Sequence, residues 1–165
     1  MKGHLFWIVV WIGVVFAGYL VTERMMAPPP VVRSLGEGVQ ELAIPVSRDG
    51  HYYLDGAVNG VPLRFMIDTG ATYVAVDAKF ARSARLPDGI AGYFSTANGT
   101  VEGRLVRNQA VRAGAFELSG LTVAVMPARD GEGLLGQNFL SRFDVTQSEG
   151  TLRLRMRQKK PEQGR

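Results

Sequence analysis

Asp68 ends an apolar run, Phe65-Met66-Ile67-Asp68-Thr69-Gly70-Ala71, which presents a carboxylate at the end of a predicted strand. Gly70 has no side chain, so its backbone N–H can approach a carboxylate oxygen, and Thr69 carries a hydroxyl able to tie the loop down. The small Ala71 leaves the approach open. Taken alone, the triplet is better explained as an ordinary Asp-containing turn between two strands. A second feature lies far along the chain in Gly133-Leu134-Leu135-Gly136-Gln137-Asn138-Phe139-Leu140, two bulky apolar residues and a glycine at the start of a short helix. Other chemistries lack their parts. The two histidines are His4, in an apolar N-terminal stretch, and His51, in a predicted strand beside Tyr52-Tyr53. No G-x-S-x-G accompanies His51, no ligand spacing suggests a metal, and neither a P-loop nor a dinucleotide fingerprint is present. With no cysteine there is no thiolate nucleophile, disulfide or Cys-rich zinc site, so no metal or cofactor is expected.

From Gln40 onward the chain reads as short strands broken by Gly, Pro, Asn and Asp, so the predicted class is all-β. Strands are predicted over 41–46, 51–58, 62–67, 73–76, 92–96, 101–111, 116–126 and 151–156. Asn59-Gly60 and Asn98-Gly99 are tight-hairpin signals, because both central residues of a type I′ turn need positive φ. One short helix is predicted from Asp77, as N-cap, to about Ala84, and another from Gly136 to about Phe143. Asp55-Gly56 and Asp130-Gly131 lack the hydroxyl residue and the apolar approach strand, and read as turns; Asp144, after the second helix, reads as a strand-entry or capping carboxylate. So many short strands in about 120 residues make a small closed or partly closed β structure.

Together the two motifs resemble the retropepsin-like aspartic proteases, and within them a bacterial membrane-anchored branch. The matching pieces are Val58-Asn59-Gly60-Val61-Pro62, Phe65 to Thr72, Thr96-Ala97-Asn98-Gly99, and Leu134-Leu135-Gly136 with Phe139-Leu140. The resemblance implies an acid-protease β-barrel with one or two short helices. It implies that Asp68 is catalytic, that Thr69, Gly70 and Ala71 form the active-site loop, and that Leu134, Leu135 and Gly136 pack beneath it. The flap candidate is the hairpin from Gly92 to Val106, with Thr96, Ala97, Asn98 and Gly99 near its tip; an ordinary surface hairpin is the alternative. Such proteolysis needs two carboxylates sharing a proton across a water, and two charges about 3 Å apart do not both ionise. The chain has one D-T-G and no D-S-G. A two-fold homodimer bringing each Asp68 to the axis is therefore required, with extended polypeptide as substrate. The competing reading is a non-catalytic binding or scaffolding module of the same fold.

At 165 residues with 46% hydrophobic and 21% charged, the chain has ordinary globular usage, and one folded domain is expected over residues 40–157. Before it, Leu5 to Val21 carries no charge, and the uncharged stretch from Gly3 to Thr22 would rise about 30 Å as a helix, a hydrocarbon-core thickness. Residues 1–24 are expected to be a retained transmembrane anchor. A cleaved signal peptide, with Val15-Phe16-Ala17 as its small-residue site, and a buried core helix fit less well. Residues 25–39, with Ala27-Pro28-Pro29-Pro30, read as a stiff linker. An anchor followed by one compact domain usually exports that domain, so a bacterial inner-membrane protein with a periplasmic body is expected. The net charge of +4 gathers toward the C-terminus, at Arg153, Arg155, Arg157, Lys159, Lys160 and Arg165, and residues 158–165 read as a basic tail rather than a nucleic-acid surface.

Overall fold

Asn59 and Gly60 both take positive φ, 48° and 81°, and this turn joins β3 (Tyr53–Val58) to β4 (Val61–Ile67) as the sequence predicts. The computed structural model describes residues 2–25, 30–34, 40–96, 99–127 and 131–157. Along β4, Leu63, Phe65 and Ile67 are buried while Arg64 and Met66 point the other way, so one face is core and the other is available at the strand end where Asp68 follows. A three-residue strand, β9 (Gly133–Leu135), runs parallel to β4 and pairs on its other side with β5 (Val74–Asp77). The sheet continues through β8 (Phe116–Met126) to β7 (Gly99–Ala113), and β7 turns back on β6 (Ile90–Thr96). Pairing of β3 with β7, Gly56 opposite Ala113 and Val58 opposite Val111, closes the sheet on itself. The expected closed β architecture is present.

That closure explains why Asp55-Gly56 lies in mid-strand and not in the expected turn. A Cβ on Gly56 would stand 2.1 Å from the Arg112 carbonyl oxygen and 2.8 Å from the Phe65 ring, so glycine is what allows β7 to cross β3 so closely. Asn59 fastens the same corner: its Nδ2 donates to Gln109 Oε1 at 2.7 Å, and its Oδ1 accepts from the Ala110 N–H at 3.1 Å.

A second, four-stranded sheet has the order β1 (Val31–Ser34), β2 (Gln40–Pro45), β11 (Thr151–Met156), β10 (Phe143–Ser148). β1 falls inside the expected linker, because two β-branched valines directly after the prolines can extend along β2. Two of the C-terminal arginines are tied into this sheet: Arg153 pairs with Glu41 at 2.9 Å and Arg157 with Asp144 at 3.0 Å. Residues 158–165, and Asp130, lie outside the described residues.

α2 (Ala78–Ser83) starts as predicted, with the Asp77 side chain accepting the Phe80 N–H at 2.6 Å. α3 (Gln137–Leu140) is shorter than predicted. Phe143 leaves it to stack on Phe139 at 5.3 Å and to meet Phe116 at 4.7 Å, and this core contact starts β10 instead of prolonging the helix. Each such fully buried aromatic or aliphatic side chain stabilises the fold by about 1.5–3 kcal/mol.

α1 runs from Lys2 to Met25, and its described side chains, positions 6 to 19, are all exposed. Among the described residues no helix is long and apolar enough to cross a membrane. The expected transmembrane span therefore lacks support in the described residues.

Near the start of β3, Tyr53 donates its hydroxyl to Asp49 Oδ2 at 2.6 Å, while the His51 N–H reaches Asp49 Oδ1 at 3.0 Å. The bond to Asp49, with some burial, pushes the Tyr53 phenol up to about 12, although the Arg64 guanidinium over its ring opposes this. The Tyr53 bond and then the His51 N–H hold Asp49 below the ordinary carboxylate range. A raised phenol stabilises the fold fully below its ordinary value of ~10, and that contribution is lost as pH rises through the folded value. For Asp49 the contribution is present above ~3.9 and lost as pH falls through the lowered value. Asp49→Ala should bring the Tyr53 transition back toward ~10 in a titration followed at the phenolate absorbance, with Tyr53→Phe identifying the signal. An unmoved midpoint would refute the assignment.

Candidate active site

The loop after β4 is held from two sides. On its own side, the Gly70 N–H donates to Asp68 Oδ1 at 2.8 Å and the Ala71 N–H to the Asp68 carbonyl at 3.3 Å. From the adjacent strand, the Leu135 carbonyl accepts the Asp68 N–H at 3.2 Å, because parallel pairing of β9 with β4 carries one bond past Ile67. Asp68 is thus half-buried at the end of a fixed strand, while Thr69 and Gly70 are exposed.

Beneath the loop, Leu135 is fully buried, and Gly136 sits where a Cβ would be 2.3 Å from the Tyr73 carbonyl oxygen and 2.8 Å from that of Ala71. The Leu134-Leu135-Gly136 segment is therefore in direct contact with the Asp68 loop, bringing together residues more than sixty positions apart. Two residues escaped the sequence reading. The Gln137 N–H donates to the Ala71 carbonyl at 2.8 Å, and its side-chain Nε2 donates to the Thr69 carbonyl at 2.9 Å. The Asn138 N–H donates to the Thr72 carbonyl at 3.0 Å, its Oδ1 accepts from the Val74 N–H at 2.8 Å, and its Nδ2 donates to the Thr122 carbonyl at 2.7 Å. Within one chain the loop is tied through the Thr69 carbonyl. The signal was present in the chain as two adjacent amides directly after Gly136 in an otherwise apolar run.

Residues 54–142, which contain both the Asp68 loop and Leu134-Leu135-Gly136, match the family described as "gag-polyprotein putative aspartyl protease". The crystal structure of a retropepsin-like aspartic protease from Rickettsia conorii superposes with a TM-score of 0.59 at 28% identity, covering 69% of this chain and 98% of that one. The chain belongs to the retropepsin-like aspartic protease family. Among curated relatives, an uncharacterized protein in the cobV 5′ region of a Sinorhizobium species is 30% identical over 126 residues, which is 73% of this chain and 53% of that protein. An uncharacterized protein of Rickettsia prowazekii (strain Madrid E) is 43% identical over 44 residues, 27% of this chain and 19% of that one. The chain thus spans about half the length of the first relative and less of the second.

In this retropepsin-like chain, Met66 shares the outward face of β4 with Asp68 two residues on. It packs on a small buried apolar cluster of Ala75, Ala124 and Leu134, as do the partly buried Ala71, Tyr73, Phe94, Leu105 and Met126. Phe94 and Leu105 come from the β6–β7 hairpin, so the flap candidate and the Asp68 loop border one apolar floor. The hairpin register is Thr96 opposite Gly99, with the Thr96 hydroxyl donating to the Gly99 carbonyl at 2.7 Å; Ala97 and Asn98, at the expected tip, lie outside the described residues. His51 is half-exposed beside Asp49, apart from these contacts. Among the described residues, no three His, Cys, Asp or Glu side chains gather into a metal-holding group.

Proposed function

We propose that the chain is an aspartic endopeptidase whose two carboxylates come from the Asp68 loops of two copies meeting on a two-fold axis. The observation that carries this reading is the Asp68 carboxylate at a strand end, with one oxygen bonded to the Gly70 N–H at 2.8 Å and the other free of that bond. In the dimer, one Asp68 is ionised and takes a proton from a water, while its partner is protonated and donates to the scissile carbonyl oxygen. The water oxygen bonds to the carbonyl carbon, and the intermediate then breaks its C–N bond as the Asp68 that took the water's proton gives it to the leaving nitrogen and the other Asp68 takes back the proton it lent to the oxygen. An extended polypeptide lies as an added strand, its side chain nearest the cut resting on the floor of Met66 and Leu134, under the β6–β7 hairpin.

We also propose that α1 tethers the enzyme to a bacterial inner membrane with the body exported to the periplasm. In support, Trp7, Trp11 and Val15 are 62%, 64% and 67% exposed, and this apolar helix has no polar face to offer water. Confinement to a membrane would raise the effective concentration of the second copy. One experiment tests both parts. The full chain on liposomes should keep its cleavage rate per chain on dilution, whereas a chain lacking residues 2–25 should lose it as dimers dissociate. A rate per chain that never depends on concentration, in a species that sediments as a monomer, would sink the shared dyad. A full chain that fails to float with liposomes would sink the tether.

A further inference from the structure

We propose that Gln137 is a positioning residue for Asp68, acting through one peptide unit. The Thr69 carbonyl and the Gly70 N–H belong to the same planar peptide, so neither can turn without the other. Gln137 Nε2 holds the carbonyl end at 2.9 Å, and the N–H end donates to Asp68 Oδ1 at 2.8 Å. A carbonyl oxygen can only accept, so it is the amide nitrogen of Gln137 that faces it. Pinning one end aims the other, and the three groups form a hydrogen-bonded chain in which each bond polarises the next.

Two features make the pin necessary and effective. Gly70 gives the peptide plane rotational freedom that a residue with a Cβ would restrict. The Gln137 backbone N–H is itself bonded to the Ala71 carbonyl at 2.8 Å, so its side chain starts from a point fixed to the same loop. Gln137 is exposed, and removing its amide opens no core cavity. Its effect on the barrel should therefore be small and its effect on the carboxylate specific.

The inference rests on Asp68 being catalytic. α3 carries no titratable side chain. Of the elements packed against it, β5 offers Asp77, bonded into the α2 cap, β8 offers Glu117, and β10 offers Asp144, paired with Arg157. Asp68 is the titratable group that the Thr69–Gly70 peptide reaches.

The test uses the full chain with Gln137→Met, similar in length but without a donor, and Gln137→Glu, which donates only when protonated. Gln137→Met should lower kcat about tenfold with KM within about twofold, since orientation and not substrate binding is lost. Its melting temperature should stay at the wild-type value, and the Gly70 amide proton should move to lower frequency in the NMR spectrum as its bond weakens. Gln137→Glu should lose at least as much at neutral pH and recover toward wild type, compared at equal pH, below the ordinary carboxyl value of ~4.3. An unmoved Gly70 resonance in Gln137→Met, or a Gln137→Glu deficit constant across pH, would overturn the proposal. A wild-type chain that cleaves nothing would instead remove the protease reading, and the Gly70 resonance would then decide the positioning role by itself.

Discussion

Asp68→Asn is expected to abolish peptide cleavage while leaving the fold intact. Losing one positioned acid–base group costs about 10²–10⁴ in rate, and in a two-fold dimer the substitution removes both at once. Stability should change by no more than about 1 kcal/mol, because an asparagine oxygen can still accept the Gly70 N–H that Asp68 Oδ1 accepts at 2.8 Å. The dimer makes a sharper form of the experiment available. If wild type and variant exchange freely at equal amounts, on the order of a quarter of the dimers hold two wild-type loops. Excess variant should then extinguish activity beyond simple dilution. Cleavage that survives Asp68→Asn would leave a retropepsin-like fold acting as a binding module. Inhibition that only tracks dilution would mean that each chain works without a partner's carboxylate.

What could be read in advance was whatever is written locally. Asn59-Gly60 specifies its turn by the φ values it tolerates, and Asp77 caps α2 from its own first turn. Strands β3, β4 and β8 alternate or fill with apolar residues for their whole length, so they were legible too. The three strands not foreseen each lack a local signal. β9 is too short to show a period, and it is extended because it threads between β4 and β5. β10 buries Phe143 alone, so it has no alternating pattern to mark its length, and Asp144 is the only hint of a strand there. β1 is hidden behind prolines and depends on β2 for its partner. The site divides the same way. Asp68 and Gly136 are recognisable only as a pair, because a turn explains the Asp68 triplet taken alone and the distant Leu134-Leu135-Gly136 is what makes the combination specific. Gln137 is an exposed polar residue, unremarkable until the fold sets it against Thr69.

Gly136→Ala should be the single-methyl change that most directly displaces the Asp68 loop, because the loop's own backbone is what its Cβ would meet. Its φ and ψ, −92° and −175°, suit alanine well, so the expected loss is steric and owes nothing to backbone conformation. The new Cβ would lie 2.3 Å from the Tyr73 carbonyl oxygen, 2.6 Å from its carbon and 2.8 Å from the Ala71 oxygen. All three are backbone atoms of the segment between Asp68 and β5, and backbone cannot swing aside as a side chain can. Relief requires the loop and the α3 start to separate by roughly 1 Å or more, against ordinary carbon–oxygen contacts near 3.5 Å. That separation breaks the bonds from the Gln137 N–H to Ala71, from the Asn138 N–H to Thr72 and from the Val74 N–H to Asn138 Oδ1. Each is worth about 1 kcal/mol net, and with residual strain the expected destabilisation is about 3–5 kcal/mol. A domain of ordinary stability, about 5–15 kcal/mol, would survive that but melt well below wild type. Activity should fall further than the melting curve explains, because the displaced segment carries Asp68. Gly92→Ala is the matched control: its Cβ would meet nothing closer than the Phe94 ring at 3.9 Å, so stability should move by less than about 0.5 kcal/mol. Equal melting of the two variants would show that the Asp68 loop does not depend on the close approach of Gly136.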